Sequence, residues 1–205
     1  MSLDDWHLTF ILICTVLIVA AFIPVVSAFL PRNEEPFFAL AVLGENGMAE
    51  HYYPDENSTI KVGTEVHWFI YIYNHMGKSQ YVSIRVKILN STIMTPNSTS
   101  CTPSEAPTTH EIRRILLENQ TWSYPFNWIL QNVTKFDNST TINSLLINGE
   151  RLQSNIRARN GYNFRLVFEL WVYDPSSDDL VFGWKSGQEP SCAWNQIWFN
   201  VTSTR

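Results

Sequence analysis

The sequence predicts an all-β fold, an Ig-like antiparallel β-sandwich ectodomain preceded by one N-terminal transmembrane helix. Three observations lead to this prediction. Of the 205 residues, 16% are charged and 14% are aromatic, a balance that favours buried strands over disorder. Short apolar or alternating segments separated by turn residues recur along the chain after residue 36. Residues 8–30, in contrast, contain no charged side chain.

The charge-free stretch runs from Leu8 to Leu30. As a helix it is long enough to cross a hydrocarbon core about 30 Å thick. Val26-Ser27-Ala28 also fits a signal-peptidase site, but Asp4 and Asp5 stand where basic residues normally precede such a site. We therefore favour an uncleaved signal-anchor over a cleaved peptide. The predicted organisation is a short tail at 1–7, a transmembrane helix in the lipid bilayer at 8–30 and one extracellular domain at 31–205.

Sequons of the form Asn-x-Ser/Thr are more frequent after this stretch than the composition alone would supply. They begin at Asn57, Asn90, Asn97, Asn119, Asn132, Asn138 and Asn200. Because N-glycosylation acts on exposed segments outside the cytoplasm, the excess predicts a glycoprotein at the cell membrane with its C-terminal domain outside. The alternative is that these residues are ordinary turn formers.

Cys101 and Cys192 are the two cysteines of the predicted external domain. In an oxidising compartment their simplest arrangement is one disulfide, which would close a loop of about ninety residues. Two free buried thiols are the alternative.

Strands are predicted from apolar runs and period-two alternation. They are expected at 37–43, 65–73, 80–89, 111–117, 123–129, 140–147, 164–173, 180–184 and 193–201. The alternation in 80–89 predicts one face on the core and one in water. Residues 111–118 could instead form two helical turns. Asn148-Gly149 predicts a hairpin turn, and the Ser/Thr/Pro-rich residues 90–109 predict a long exposed loop.

Four segments carry a family resemblance: LGENGMAEHYYP (43–54), KVGTEVHWFIYIYNHMGKSQYVSIRVKILN (61–90), TWSYPFNW (121–128) and GYNFRLVFELWVYD (161–174). In this order, and with the Trp-rich end, they resemble the external domain of the archaeal domain-of-unknown-function family 1616. The resemblance covers nearly all of 37–202. It implies an archaeal membrane protein with a strand-rich surface domain and no established activity. Longer family members have several spans before the domain, whereas this chain has one charge-free stretch.

Patterns typical of catalytic sites are missing from the sequence. There is no Gly-rich phosphate loop, nucleophile elbow or metal-ligand spacing, so we expect no enzymatic activity, no catalytic residue and no cofactor. Scattered basic residues and a net charge of −5 also argue against nucleic acid. Glu169, inside an apolar strand, is expected to face solvent or to pair with Arg165. The alternative function is copper binding by His51, His67, His75 and His110, with Met48 and Met76 as soft ligands.

Aromatic residues are concentrated near the C-terminus. Alternation along 193–201 places Trp194 and Trp198 on one face and Ile197 and Phe199 on the other, and one face should belong to the core. We favour packing of the Trp194 and Trp198 face in the core; if that face is exposed instead, it forms a binding surface for a sugar or a protein. The favoured function is a non-enzymatic binding, structural or accessory subunit of the archaeal cell envelope. Its expected partner is another membrane or envelope protein.

Overall fold

A computed structural model describes residues 3–29, 35–186 and 189–202 of the chain. The chain divides into two compact units, Met1–Glu34 and Glu35–Arg205. The first contains one helix, α1 (Leu3–Phe29).

Side chains in α1 are described without interruption only from Thr9 to Phe22. This stretch is about 21 Å long at a rise of 1.5 Å per residue. Within the described residues, no helix is long and apolar enough to cross a membrane. The predicted span at 8–30 extends beyond them, because residue 30 and the side chains of 8 and 23–29 lie outside the described set.

The second unit is built from two main sheets and one small sheet. The five-stranded sheet has the order β1 (Phe37–Leu43), β3 (Glu65–His75), β6 (Thr121–Phe136), β7 (Ser139–Ile147), β8 (Glu150–Arg159). The six-stranded sheet has the order β2 (Thr59–Lys61), β13 (Trp194–Thr202), β9 (Phe164–Asp174), β4 (Gln80–Leu89), β5 (His110–Leu116), and β10 (Asp179–Phe182) also pairs with β9. The small sheet pairs β11 (Trp184–Ser186) with β12 (Glu189–Ser191), and Pro54–Glu56 forms a 3₁₀ turn.

Aromatic side chains from both main sheets form the core between them. Trp68 of β3 lies 6.2 Å from Phe168 of β9, measured between ring centroids. Trp128 of β6 lies 5.0 Å from Phe199 of β13, and all four residues are almost completely buried. Because alternate residues of a strand face opposite sides, each strand supplies this core with every second residue. The predicted β-sandwich is thus confirmed at the level of its two packed layers.

All nine predicted strands are present, and β1 and β4 have the predicted bounds. Residues His110–Leu116 form a strand, so the helical alternative is wrong there. Asn148-Gly149 is the turn between β7 and β8, as predicted. Strands β2, β8, β11 and β12 were not predicted. The sequence of β8 is polar because Arg151, Gln153 and other alternate residues are exposed at the edge of its sheet.

One strand pair departs from the predicted antiparallel arrangement. β13 runs parallel to β2, with Val201 opposite Ile60. Parallel neighbours need a long crossover connection, and nearly the whole domain separates these two strands along the chain.

The outer face of β4 does not lie in water, contrary to prediction. Lys87 and Leu89 are buried on that face. Leu89 forms a small apolar cluster with Val167 of β9 and Ala106. Ala106 belongs to residues 90–109, hereafter the 90–109 loop, which covers this part of the sheet. The prediction that residues 90–109 form an exposed loop is therefore wrong for three buried members of the loop, Pro96, Ser104 and Ala106.

Candidate binding surface

The last strand, β13, has one face in the core and one on the outside of the sandwich. Phe199 and Val201 are buried in the core cluster, which identifies the inner face. By alternation Trp194 and Trp198 lie on the outer face. Trp198 is 41% exposed, whereas Trp194 is half-buried. Trp198 is therefore the more exposed of the two tryptophans, and the favoured prediction that their face packs in the core is wrong, because Phe199 and Val201 fill the core from the other face.

Arg165 lies directly opposite Trp198 on the neighbouring strand β9. Its guanidinium carbon is 4.6 Å from the centroid of the Trp198 ring, within the range of a cation–π interaction. Nη1 donates a hydrogen bond to Gln196 Oε1 at 3.2 Å, and Nη2 donates to the carbonyl of Ile93. Buried Nε has no hydrogen-bond partner among the described residues. The guanidinium is thus held in a fixed position behind Trp198.

The charge of Arg165 is buried without a carboxylate. The residue is only 7% exposed, and no ion pair joins it to a described acidic residue. Burial lowers the pKa of the guanidinium, although an arginine remains protonated in proteins. The outer face therefore contains a positive charge that no described side chain neutralises.

Glu169, four residues along the same strand, has a different partner. Its Oε2 lies 2.9 Å from Lys87 Nζ, and both side chains are almost fully buried. The Ser104 amide donates to Glu169 Oε1 at 2.8 Å, and Trp171 Nε1 donates to Oε2 at 3.0 Å. The prediction that Glu169 faces solvent or pairs with Arg165 is wrong. Four residues along a strand separate the two by about 13 Å, whereas Lys87 comes from the adjacent strand.

The 90–109 loop contributes backbone groups to this ion pair. Lys87 Nζ donates to the Ser104 carbonyl at 2.6 Å, in addition to the Ser104 amide bond to Glu169. The predicted Cys101–Cys192 disulfide is confirmed, with the two Cα atoms 5.6 Å apart. It ties the loop to the segment just before β13. The loop is thus fixed by a covalent bond and by a buried charge pair.

A cavity of about 470 Å³ lies where residues 91–98 of this loop pass over the sheet. Its sheet side is formed by Arg165 and Trp194, and we call it the Arg165 cavity. Trp194 Nε1 donates to Ser98 Oγ at 2.8 Å, which holds the indole against the loop. Four hydroxyl side chains are among its lining residues: Ser91, Thr92, Thr95 and Ser98.

Sequon asparagines lie at the surface of the domain. Five of them are exposed: Asn57, Asn97, Asn119, Asn132 and Asn138. Asn90 and Asn200 are half-buried. Asn90 Nδ2 donates to the Arg157 carbonyl at 2.8 Å, so its amide is already engaged. Asn97 lines the Arg165 cavity.

The four histidines proposed as copper ligands have separate partners. His51 lies 3.0 Å from Glu56, His67 lies 3.0 Å from Asn127, His75 lies 2.7 Å from Asn119 and His110 lies 3.3 Å from Glu150. In the part of the chain that the structure describes, no group of three or more His, Cys, Asp or Glu side chains could hold a metal ion. These residues are therefore not brought together into the proposed copper site.

Two important residues of this surface, Arg165 and Lys87, were not predicted as site residues. The available signal was a charged residue inside an otherwise apolar strand, as in NFRLVFELW and SIRVKIL. Such a residue is buried only if another segment covers the outer face, and the sequence did not reveal that the 90–109 loop does so.

Comparisons with known proteins give distant structural neighbours. No family model matches the chain, and no curated protein matches it. A CARDB domain from Pyrococcus furiosus, solved in complex with di-metal ions, is 10% identical over 82% of this chain and 90% of its own, with a TM-score of 0.38. A β-glucosidase from Listeria innocua, solved with isofagomine, is 12% identical over 82% of this chain and 16% of its own, with a TM-score of 0.36. The sporulation control protein Spo0M from Bacillus subtilis is 9% identical over 80% of this chain and 49% of its own, with a TM-score of 0.34. At these scores the neighbours say nothing about what this chain binds.

Proposed function

We propose that residues 35–202 form a non-enzymatic, extracellular binding domain whose contact surface is the outer face of β9 and β13. The observation that supports this most strongly is the stack of half-exposed Trp198 on buried Arg165. Tryptophan and arginine are the residue types most enriched at binding hot spots. A side chain that is already held in place loses little conformational freedom on binding.

An extracellular location is supported by two features of the domain. The Cys101–Cys192 disulfide fits an oxidising compartment. Exposed sequons fit a surface reached by a glycosylation machinery, and we propose that they carry N-glycans. Attachment to the cell membrane through residues 8–30 is proposed on their charge-free sequence alone. The Ig-like assignment and membership of the archaeal family 1616 are likewise proposals that rest on strand order and on the quoted segments.

Photo-crosslinking in the native host tests this function. A photoreactive phenylalanine analogue is placed at position 198 of the full chain, and a matched variant carries it at Phe136. Phe136 is 78% exposed and ends β6 in the other sheet. We expect one reproducible adduct with another envelope component from position 198 and none from position 136. The same adduct from both positions, or none from either, would contradict the proposal.

Once the crosslinked component is identified, its Kd for the wild type and for a variant that lacks the Trp198 side chain can be compared. Removal of a hot-spot side chain costs about 2 kcal/mol, or roughly 30-fold in Kd. Trp198→Ala should therefore weaken binding about 30-fold, whereas Phe136→Ala should leave the Kd unchanged. Thermal melting of both variants checks that the fold persists.

A further inference from the structure

The guanidinium of Arg165 has hydrogen-bond donors without acceptors and a charge without a counter-ion among the described residues. A guanidinium has five N–H donors, and the described residues accept from it at Gln196 and Ile93. Nε is buried without a partner among them. Buried charges in proteins are ordinarily paired, because an isolated one loses its hydration without compensation. Lys87 on the same face follows this rule through Glu169, whereas Arg165 does not.

The Arg165 cavity lies directly against this unpaired cation. It has a volume of about 470 Å³ and is a shallow depression that is open to solvent on one side. The lining residues include Arg165, Trp194 and several residues with hydroxyl groups. Hydroxyls both donate and accept hydrogen bonds, and an indole offers a flat apolar surface. This combination matches a ligand with an anionic group, several hydroxyls and an apolar ring face.

We propose that the Arg165 cavity binds a carboxylate-bearing sugar, with the carboxylate on Arg165 and the sugar ring against Trp194. Arginine pairs with a carboxylate through two parallel hydrogen bonds, which a neutral sugar cannot supply. The inference rests on the proposed binding function and gives its ligand a chemical class. The sugar could belong to a separate envelope polymer or to a glycan attached at Asn97, which lines the same cavity.

The test is a titration of the purified full chain with D-glucuronate, D-glucose and acetate, followed by tryptophan fluorescence. We expect a saturable change with glucuronate and at least ten-fold weaker binding of glucose and of acetate. Arg165→Gln should weaken glucuronate binding at least ten-fold, and Arg113→Gln, at an exposed site on β5, should leave it unchanged. Raising the salt concentration should weaken glucuronate binding and leave the glucose response unaltered.

Further variants keep the test decisive. If Arg165→Gln has no melting transition, Trp194→Phe takes its place, and it should weaken glucuronate binding while leaving acetate binding unchanged. If glucuronate binds both to the glycosylated wild type and to Asn97→Gln, the natural ligand is a separate saccharide. If glucuronate binds only to Asn97→Gln, the glycan attached at Asn97 occupies the cavity in the wild type. No saturable response in either form, or equal affinities for glucose and glucuronate, would overturn the inference. The crosslink from position 198 does not depend on added glucuronate, so failure here leaves the proposed function separately testable.

Discussion

Lys87 and Glu169 form an ion pair whose two side chains are almost fully buried. Removing one partner leaves the other charge buried and unpaired, which is far more costly than losing a surface ion pair. Lys87→Met should lower the free energy of unfolding by about 3 to 5 kcal/mol. The double variant Lys87→Met/Glu169→Leu should recover most of this loss, because no charge then remains buried. Urea denaturation measures both variants.

Lys61→Met is the control for this pair, since Lys61 is exposed on β2. It should change the free energy of unfolding by less than about 0.5 kcal/mol. If the single and double variants at Lys87 are equally unstable, the buried charge is not the cause of the loss.

His110 makes the stability of the domain depend on pH. Burial lowers its pKa, although Glu150 at 3.3 Å acts in the opposite direction. In the unfolded chain the pKa of a histidine is about 6.5. At pH values between the pKa of His110 in the folded protein and its pKa in the unfolded chain, the unfolded chain binds more protons than the folded protein. Acidification in this range therefore favours unfolding. The contribution of His110 is therefore complete above about pH 6.5 and is lost as the pH falls towards the folded pKa.

His110→Gln should reduce this dependence, because glutamine does not titrate. The melting temperature should decrease less from pH 7.5 to pH 5.0 in the variant than in the wild type. An unchanged difference would assign the acid sensitivity to other groups.

At the scale of single residues, the sequence predicted chemistry only where local pattern decides it. The alternation along β13 separated Trp198 from Phe199 correctly, because a strand always places neighbouring residues on opposite faces. The partner of Glu169 could not be predicted in the same way. That partner depends on strand order and register, which bring Lys87 from 82 positions away in the chain.

The disulfide determines how firmly the 90–109 loop is held over its sheet. Cys101 and Cys192 are separated by 91 positions, and the chain-entropy model gives about 4 to 5 kcal/mol for closing a loop of that length. Cys101→Ser/Cys192→Ser should lose stability of this order in urea denaturation. Reduction of the wild type should give the same midpoint as the variant. Equal midpoints for the oxidised wild type and the variant would show that the bridge does not constrain the unfolded chain.

At the scale of elements, strands with an apolar or alternating pattern were predictable, whereas the polar β8 and the three-residue strands were not. β1 and β4 have their predicted bounds because turn residues flank clear apolar patterns. The three residues of β2 carry no strand pattern of their own, and they form a strand because they pair with β13. The packing of the 90–109 loop also escaped prediction, because Lys87 and the Ser104 backbone supply contacts that no hydrophobic pattern reveals.

For the molecule as a whole, the proposed location outside the cell has a direct test. Protease added to intact cells of the native host should digest the domain and spare a cytoplasmic marker protein. Enzymatic removal of N-glycans should increase the electrophoretic mobility of the full chain. Complete protection of the domain in intact cells, with digestion after lysis, would contradict an extracellular location.

The exposed edge strand β8 has a consequence for how copies of this domain behave beside one another. A free strand edge presents unpaired backbone groups that can recruit a strand from another molecule. In β8 the charged side chains of Arg151, Arg157 and Arg159 are exposed along that edge, and the Arg157 carbonyl accepts a hydrogen bond from Asn90. Two such edges brought together would place like charges side by side. The polar sequence that concealed this strand from prediction therefore helps neighbouring copies to remain separate when they are crowded.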